Sequence, residues 1–417
     1  MAKTLVYQIY LFGFLEKGEI RPTRFYEHGA IESATKHLDR VKALGADVVW
    51  LGPIFHSPWN DHGYDIADYY SIEPYFGTME DFDEFVERAH QLGIKVIIDL
   101  VMNHTSTAHE WFQHPKTYKN FYHWSNKERR GWRNLFDQGP AWTLNKATGE
   151  YYLHLFDETQ ADLNWFPRGP EKEINWELVT QFHKIIDFWI QEHGVDGFRL
   201  DVPQSINKDF SLNELGFEDL LHGEQSVRVL NALFGNTDCF LMMECFDPTY
   251  GELTKYYLDN TPVDYVLNVL LKDKISEGET RFLQALGEQV KNPGFMLDLE
   301  SHDSPRFPSR GTNPDEMKND MIFYMFNTKA NAICLYQGQE LALCNPTEEE
   351  LPGYKMVELD AQTKLRFRSG ELIRDLRATS RANARTILPL EEYEFQENFP
   401  SSYLNLTKKW IDNWRKS

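Results

Sequence analysis

Short apolar runs alternate along this chain with longer stretches whose apolar residues recur every three or four positions. Leu5 to Tyr10 reads as a strand. The stretch 31–44 then places Ile31, Ala34, Leu38, Val41 and Leu44 on one helical face, and Val48-Val-Trp-Leu51 reads as strand again. The unit repeats. Phe82, Phe85, Val86, Ala89 and Leu92 share a helical face, and Lys95-Val-Ile-Ile-Asp-Leu100 follows as a strand apolar on both sides. Runs at 196–200, 240–244, 263–267, 294–299 and 331–336 bring the strands to eight. Eight parallel strands with helices between them predict an α/β fold, a (β/α)8 TIM barrel, whose active site forms at the C-terminal ends of the strands. A doubly wound open sheet is the competing topology, but no Gly-rich phosphate loop follows the first strand.

The spacing between strands is uneven, and this sets the expected organisation. Residues 1–104 read as the first part of the barrel. The stretch 105–165 is rich in Trp, Tyr, His, Asn and Gly without a clear helix, and reads as a small subdomain inserted after strand three. The barrel resumes over 166–417 with a helix at 173–193. This part also contains a long polar stretch, 345–400, and a closing helix over 403–414.

Charge narrows the partners. Sixty-four Asp and Glu against 43 Lys and Arg give a formal charge of -21, which disfavours nucleic acid and leaves a neutral small molecule as the better fit. Aromatics make up 14% of the chain, enough to furnish both a core and a sugar-stacking cleft. Four cysteines without paired spacing read as reduced, and the N-terminus runs into a strand without a cleavage site. No stretch reaches the roughly 18 apolar residues of a membrane span. A cytoplasmic protein without membrane contact is expected.

Three strand ends carry acids: Asp201 in Gly197-Phe-Arg-Leu-Asp201, Glu244 in Phe240-Leu-Met-Met-Glu244, and Asp303 after His302. On parallel strands they converge at one rim. Breaking a glycosidic bond needs such a trio, one carboxyl to attack the anomeric carbon, one to protonate the departing oxygen and one to stabilise developing positive charge. Arg199 projects to the same face as Asp201 and favours its ionised form, whereas the apolar residues before Glu244 favour a neutral acid. His104, His109 and His114 recur at five-residue steps, which do not match a helical zinc pair, so no metal and no cofactor are expected. His37, His90, His183 and His193 fall in helical stretches and read as surface residues.

Taken in order, Asp99-Leu-Val-Met-Asn-His104, Gly197-Phe-Arg-Leu-Asp201, Glu244 and His302-Asp303 resemble the motifs at strands three, four, five and seven of the α-amylase superfamily of glycoside hydrolases. Gly63-Tyr64-Asp65-Ile66, His154-Leu-Phe156 and Tyr336-Gln-Gly-Gln-Glu340 extend the likeness. Asp162-Leu-Asn-Trp165 resembles the oligo-1,6-glucosidase and α-glucosidase branch. The resemblance implies Asp201 as nucleophile, Glu244 as general acid/base and Asp303 as stabilising carboxylate. It also implies retention of configuration, with the first two carboxyls about 5–5.5 Å apart. Tyr64, Asp65, His104, Phe156, Arg199, Val202, His302 and Arg306 are the implied sugar contacts. In relatives a Val directly after the nucleophile accompanies α-1,6 preference, so the resemblance implies an exo-acting α-glucosidase on short oligosaccharides. Val202 equally reads as a β-branched strand residue. The same site would serve a transglycosylase or a sucrose-isomerase-type enzyme, and a catalytically silent sugar-binding barrel is the non-enzymatic alternative.

Departures from the pattern add expectations. The loop 11–20 lacks the Asp/Asn-rich calcium sequence of many relatives, so no calcium is expected there. Ser301 stands where relatives have Asn, and Met243 where they have Gly. Ser380-Arg-Ala-Asn-Ala-Arg-Thr386 resembles a loop of the branch but is not followed by Pro-Met-Gln-Trp. No C-terminal β-sandwich sequence follows the closing helix, and a homo-oligomer is left open as the means of covering that surface.

Overall fold

The computed structural model describes residues 3–14, 29–136, 138–169, 172–221, 223–311, 313–345, 384 and 388–417. The expectation for the loop 11–20 falls mostly outside these residues. So do the readings of 345–400 and of 380–386.

Eight parallel strands close into a barrel: β1 (Thr4–Ile9), β2 (Val48–Leu51), β3 (Lys95–Val101), β4 (Gly197–Asp201), β5 (Phe240–Cys245), β6 (Tyr265–Asn268), β7 (Phe295–Leu297) and β8 (Ala332–Tyr336). Each pairs with its neighbours in sequence, and β1 pairs with both β2 and β8, which closes the ring. Strand alternation separates two apolar layers. Val6, Val48, Trp50, Ile97, Met242, Leu267, Met296, Ala332 and Cys334 fill the barrel interior, while Leu5, Tyr7 and Ile9 face the helices. Both faces are therefore largely dry, which is why the strands read as nearly continuous apolar runs. Gly197 opens β4 where a Cβ would lie 1.9 Å from the Phe240 carbonyl oxygen, so a side chain there would push β4 and β5 apart.

The outer layer includes α1 (Ala30–Leu44), α2 (Met79–Gln91), α3 (Trp176–Asp187), α4 (Glu224–Phe234), α5 (Glu252–Asn260), α6 (Glu279–Gln289), α7 (Pro314–Phe326) and α8 (Tyr403–Lys416). Local chemistry fixes several ends. Thr78 and Asp81 form a reciprocal capping box on α2, and Gly45 terminates α1 at φ 91°. The helix expected over 173–193 is α3, capped by Asn175, followed by a π-helical turn at Phe188–Glu192. α8 closes the barrel, with the Trp414 indole donating to the Ala330 carbonyl and Arg415 pairing with Asp47.

Between β3 and β4 the chain builds two small sheets. One pairs His104–Ser106 with Gln160–Asp162; the other joins Trp124–Ser125, Trp142–Asn145 and Glu150–Leu153. Two short helical turns, Glu110–Gln113 and the 3-10 turn Lys119–Phe121, lie in this stretch where no helix was expected. The buried Lys208 ammonium ties it to the barrel, 2.9 Å from Asn103 Oδ1 and 3.0 Å from Asp162 Oδ2.

His37 corrects the surface reading. It lies on the inner face of α1, buried against Tyr7, Phe14 and Tyr393, and burial lowers its pKa to about 3. A charged imidazole costs too much there. His90, by contrast, is exposed and pairs with Asp196.

Candidate active site

A cavity of about 880 Å³ opens at the C-terminal rim of the barrel. Asp201 is the last residue of β4 and Glu244 the penultimate residue of β5, so parallel pairing brings both carboxyls to the same end. Asp303 arrives differently. β7 ends at Leu297, and the loop beyond it carries Asp303 to the cavity wall.

Arg199 organises this end of the barrel. Its Nη1 donates to Asp99 Oδ1 at 2.8 Å and to Asp201 Oδ1, and its Nη2 donates to Glu244 Oε2 at 2.7 Å. Register explains the first contact, because Arg199 and Asp99 are paired neighbours on β4 and β3. Trp50 on β2 completes the shell by donating its indole N–H to Asp99 Oδ2 at 2.8 Å. Burial pushes the Asp99 carboxyl up to about 6 and Asp201 well above the usual aspartate range, while Arg199 pulls both back. The expectation that Arg199 keeps Asp201 low is thus corrected. The sign of its effect is as argued, but one guanidinium is divided among three carboxylates and desolvation outweighs it.

His302 links the other side. The Gln8 amide donates to its Nδ1 at 2.7 Å, which leaves the proton on Nε2, 2.6 Å from the Tyr64 hydroxyl and 2.9 Å from Asp303 Oδ2. The Tyr10 and Tyr64 rings stack on the imidazole at 5.6 and 5.3 Å. His104 contacts the Tyr64 carbonyl through Nε2 at 3.2 Å, and burial lowers its pKa to about 3, so it enters the cavity as a neutral hydrogen-bonding ring. Phe156 packs on it at 5.2 Å.

Tyr64, His104, Phe156, Arg199, Asp201, Val202, Glu244, His302 and Asp303 all line the cavity. Two sequence-derived candidates do not. Asp65 is fully buried below it, accepting from the Ser57 hydroxyl at 2.7 Å and from the Asn60 and Asp61 N–H groups at 3.0 Å each. It shapes the turn that presents its neighbour Asp61, and Asp61 is the residue that reaches the wall. Arg306 is likewise buried away from the cavity, donating to Glu300 at 3.1 Å and to the Gln337 carbonyl at 2.7 Å. Both carry motif-like neighbours, but the turn of the backbone over three or four residues decides which side chain faces the opening.

Val202 also departs from its strand reading. It sits at φ 36° and ψ 45°, beyond the end of β4. A β-branched residue rarely adopts this left-handed conformation, which costs on the order of 1–3 kcal/mol. The turn aims the Val202 N–H at Glu244 Oε2, 3.2 Å away, and leaves the side chain in the wall.

Further lining residues escaped the sequence reading: Trp50, Asp61, Lys272 and Asp298 among them. Asp298 had a signal, since it interrupts the apolar run Phe295-Met-Leu-Asp-Leu299. Lys272 had none. Among the described residues, no group of three His, Cys, Asp or Glu side chains is arranged to hold a metal ion, and no helix is long and apolar enough to cross a membrane.

Asp65 gives a pH prediction. Burial raises its pKa from 3.8 to about 6 against three hydrogen bonds that lower it. A carboxyl whose pKa is higher in the folded state favours folding below its unfolded pKa, and that contribution is lost as pH rises through the folded value. Between pH 4 and 6 the native protein should therefore lose roughly 2 kcal/mol relative to Asp65→Asn, whose side chain does not titrate. Urea denaturation of both proteins across that range measures the difference, and parallel curves would refute it.

The sequence pattern described as the alpha amylase catalytic domain matches residues 19–413. The chain is 33% identical to a trehalose-6-phosphate hydrolase of Bacillus subtilis, over 92% of this chain and 73% of the relative. It is 30% identical to an oligo-1,6-glucosidase of Heyndrickxia coagulans, over 92% and 75%. The crystal structure of a trehalose-6-phosphate hydrolase from Bacillus licheniformis superposes with a TM-score of 0.82 at 30% identity, covering all of this chain and 84% of the other.

Proposed function

Because the chain belongs to the alpha-amylase catalytic-domain family of glycoside hydrolases, we propose that it is a retaining α-glucosidase acting on short, uncharged oligosaccharides, with α-1,6 linkages preferred. One observation carries the reading: the Asp201 and Glu244 carboxyls accept from the two Nη atoms of a single guanidinium in one cavity. A planar fork holds two carboxyls in adjacent, fixed positions. In this reading Asp201 attacks the anomeric carbon while Glu244 protonates the departing oxygen. Glu244 then takes a proton from the water that releases the sugar from Asp201. Asp303, hydrogen-bonded to the His302 Nε2–H, faces the positive charge that develops between these steps.

The preference for uncharged sugars rests on the wall. Among the described lining residues, four carboxylates (Asp61, Asp201, Asp298 and Asp303), besides Glu244, which holds its proton until it acts, stand against three cations, Arg199, Lys272 and Arg310. Each cation is already engaged: Arg199 by three carboxylates, Lys272 by Asp298, and Arg310 by the Pro305 carbonyl. A phosphorylated sugar, as in the names of two of the relatives above, would meet a surplus of like charge.

The test is glucose release from isomaltose, panose, maltose, sucrose, trehalose and trehalose 6-phosphate, with anomeric NMR of the first product. Release chiefly from isomaltose and panose with retained α-configuration supports the proposal. Inversion, or activity confined to trehalose 6-phosphate, refutes it, and a new disaccharide formed from sucrose would assign an isomerase instead. Linkage preference has its own test at Val202. Val202→Thr should shift the α-1,6 to α-1,4 ratio of kcat/KM by about tenfold, the scale of one methyl-sized change in a pocket. An unchanged ratio removes Val202 from the argument.

A further inference from the structure

A buried ion pair in the cavity wall has no part in the catalytic sequence above. Lys272, in the 3-10 helix Leu271–Glu277 that follows β6, points its ammonium at Asp298 Oδ2, 3.0 Å away, and at the Ser301 hydroxyl, 2.9 Å away. Both charged side chains are under a tenth exposed, yet both line the cavity. Placing an acid at position 298 is costly, because the residue directly follows the apolar strand β7. Burying two charges costs several kcal/mol unless they are well paired, and apolar residues of similar size are often at least as stable. Stability alone does not account for the pair.

Its effect on the cavity is plain. Without Asp298, Lys272 would be a buried ammonium facing the substrate space, held by one hydroxyl. Such a cation is a ready site for a phosphate or carboxylate, and its attraction would be strong in a poorly hydrated wall. With Asp298 in place, the local charge is cancelled and the wall keeps its acidic surplus. Ser301 strengthens the arrangement: its hydroxyl also accepts from the Asp303 N–H at 3.2 Å, tying the pair to the loop that carries Asp303.

We infer that Asp298 is a specificity-determining residue, which neutralises Lys272 and so excludes phosphorylated or carboxylated sugars from a cavity built to take neutral ones. This rests on the α-glucosidase reading for its substrate class, but the charge relation can be tested without turnover. Binding of glucose and of inorganic phosphate is measured by calorimetry at constant ionic strength for the native protein, Asp298→Asn, Asp298→Glu and the double variant Asp298→Asn/Lys272→Met. Asp298→Asn should bind phosphate at least tenfold more tightly than the native protein. Asp298→Glu should restore exclusion, and the double variant should lose the gain. Phosphate binding unchanged in Asp298→Asn, or a gain that persists without Lys272, overturns the inference.

Failure of the native protein to bind glucose would count against the sugar-site reading instead, while the phosphate comparison would still report the charge of the wall. Should Asp298→Asn not fold, Lys272→Gln supplies the opposite arm. It leaves the Asp298 charge uncovered, so a protonated iminosugar should bind several-fold more tightly, and unchanged binding would overturn the inference.

Discussion

Asp201→Asn is expected to lower kcat on α-glucosides by about 10⁴-fold or more, because the proposed covalent route loses the atom that attacks. The fold should survive the change. Burial disfavours the Asp201 charge, and in the variant Arg199 still holds Asp99 and Glu244, so thermal stability should stay level or rise. A pH profile of the native enzyme separates this role from simple packing. In the proposed route attack requires ionised Asp201, whose pKa burial raises well above the ordinary aspartate value. The acid limb of kcat/KM should accordingly fall at a higher pH than a free aspartate would give. Asp201→Asn retaining a tenth of native kcat would refute the assignment.

Arg199→Met should have the largest effect on stability, roughly 3–5 kcal/mol at pH 7, since it leaves three buried carboxylates without their cation. The deficit should depend on pH. Removing Arg199 removes the influence that lowers Asp99 and Asp201, so their folded-state pKa values rise further above the unfolded ones. Groups shifted in that direction favour folding below the unfolded pKa and lose that contribution as pH climbs through the folded one. The gap between native and variant should be smallest below about pH 4, where the carboxyls are protonated in both states, and widest above neutrality. Denaturant titrations at pH 4, 6 and 8 measure it. A gap independent of pH would mean that Arg199 acts through packing on Trp50 and not through charge.

The barrel was legible because its signals are short-range. Nearly continuous apolar runs such as Val96-Ile-Ile98 in β3 report burial on both faces, and three- and four-residue recurrences report one apolar helical face. Two acids at strand ends, Asp201 and Glu244, were legible for the same reason, since parallel strands deliver their last residues to one rim whatever the loops do. Loop residues were harder. Asp65 and Asp61 differ by one turn, and only the hydrogen bonds from Ser57 and Asn60 decide which of them is held below the cavity.

By itself, then, the sequence determined the order of the barrel strands, the rim at which the candidate acids gather, and which acids those are. These follow from periodicity and position along one strand. The tertiary structure alone decided the electrostatics. Asp99 and Arg199 lie a hundred residues apart and meet through strand register. Lys272 finds Asp298 across two barrel strands, and His37 is buried by a tyrosine from position 393. The proton affinity of a group depends on which charges lie within a few ångströms and how much water is excluded. Both are set when distant segments pack, so neither is written in the local pattern of the chain.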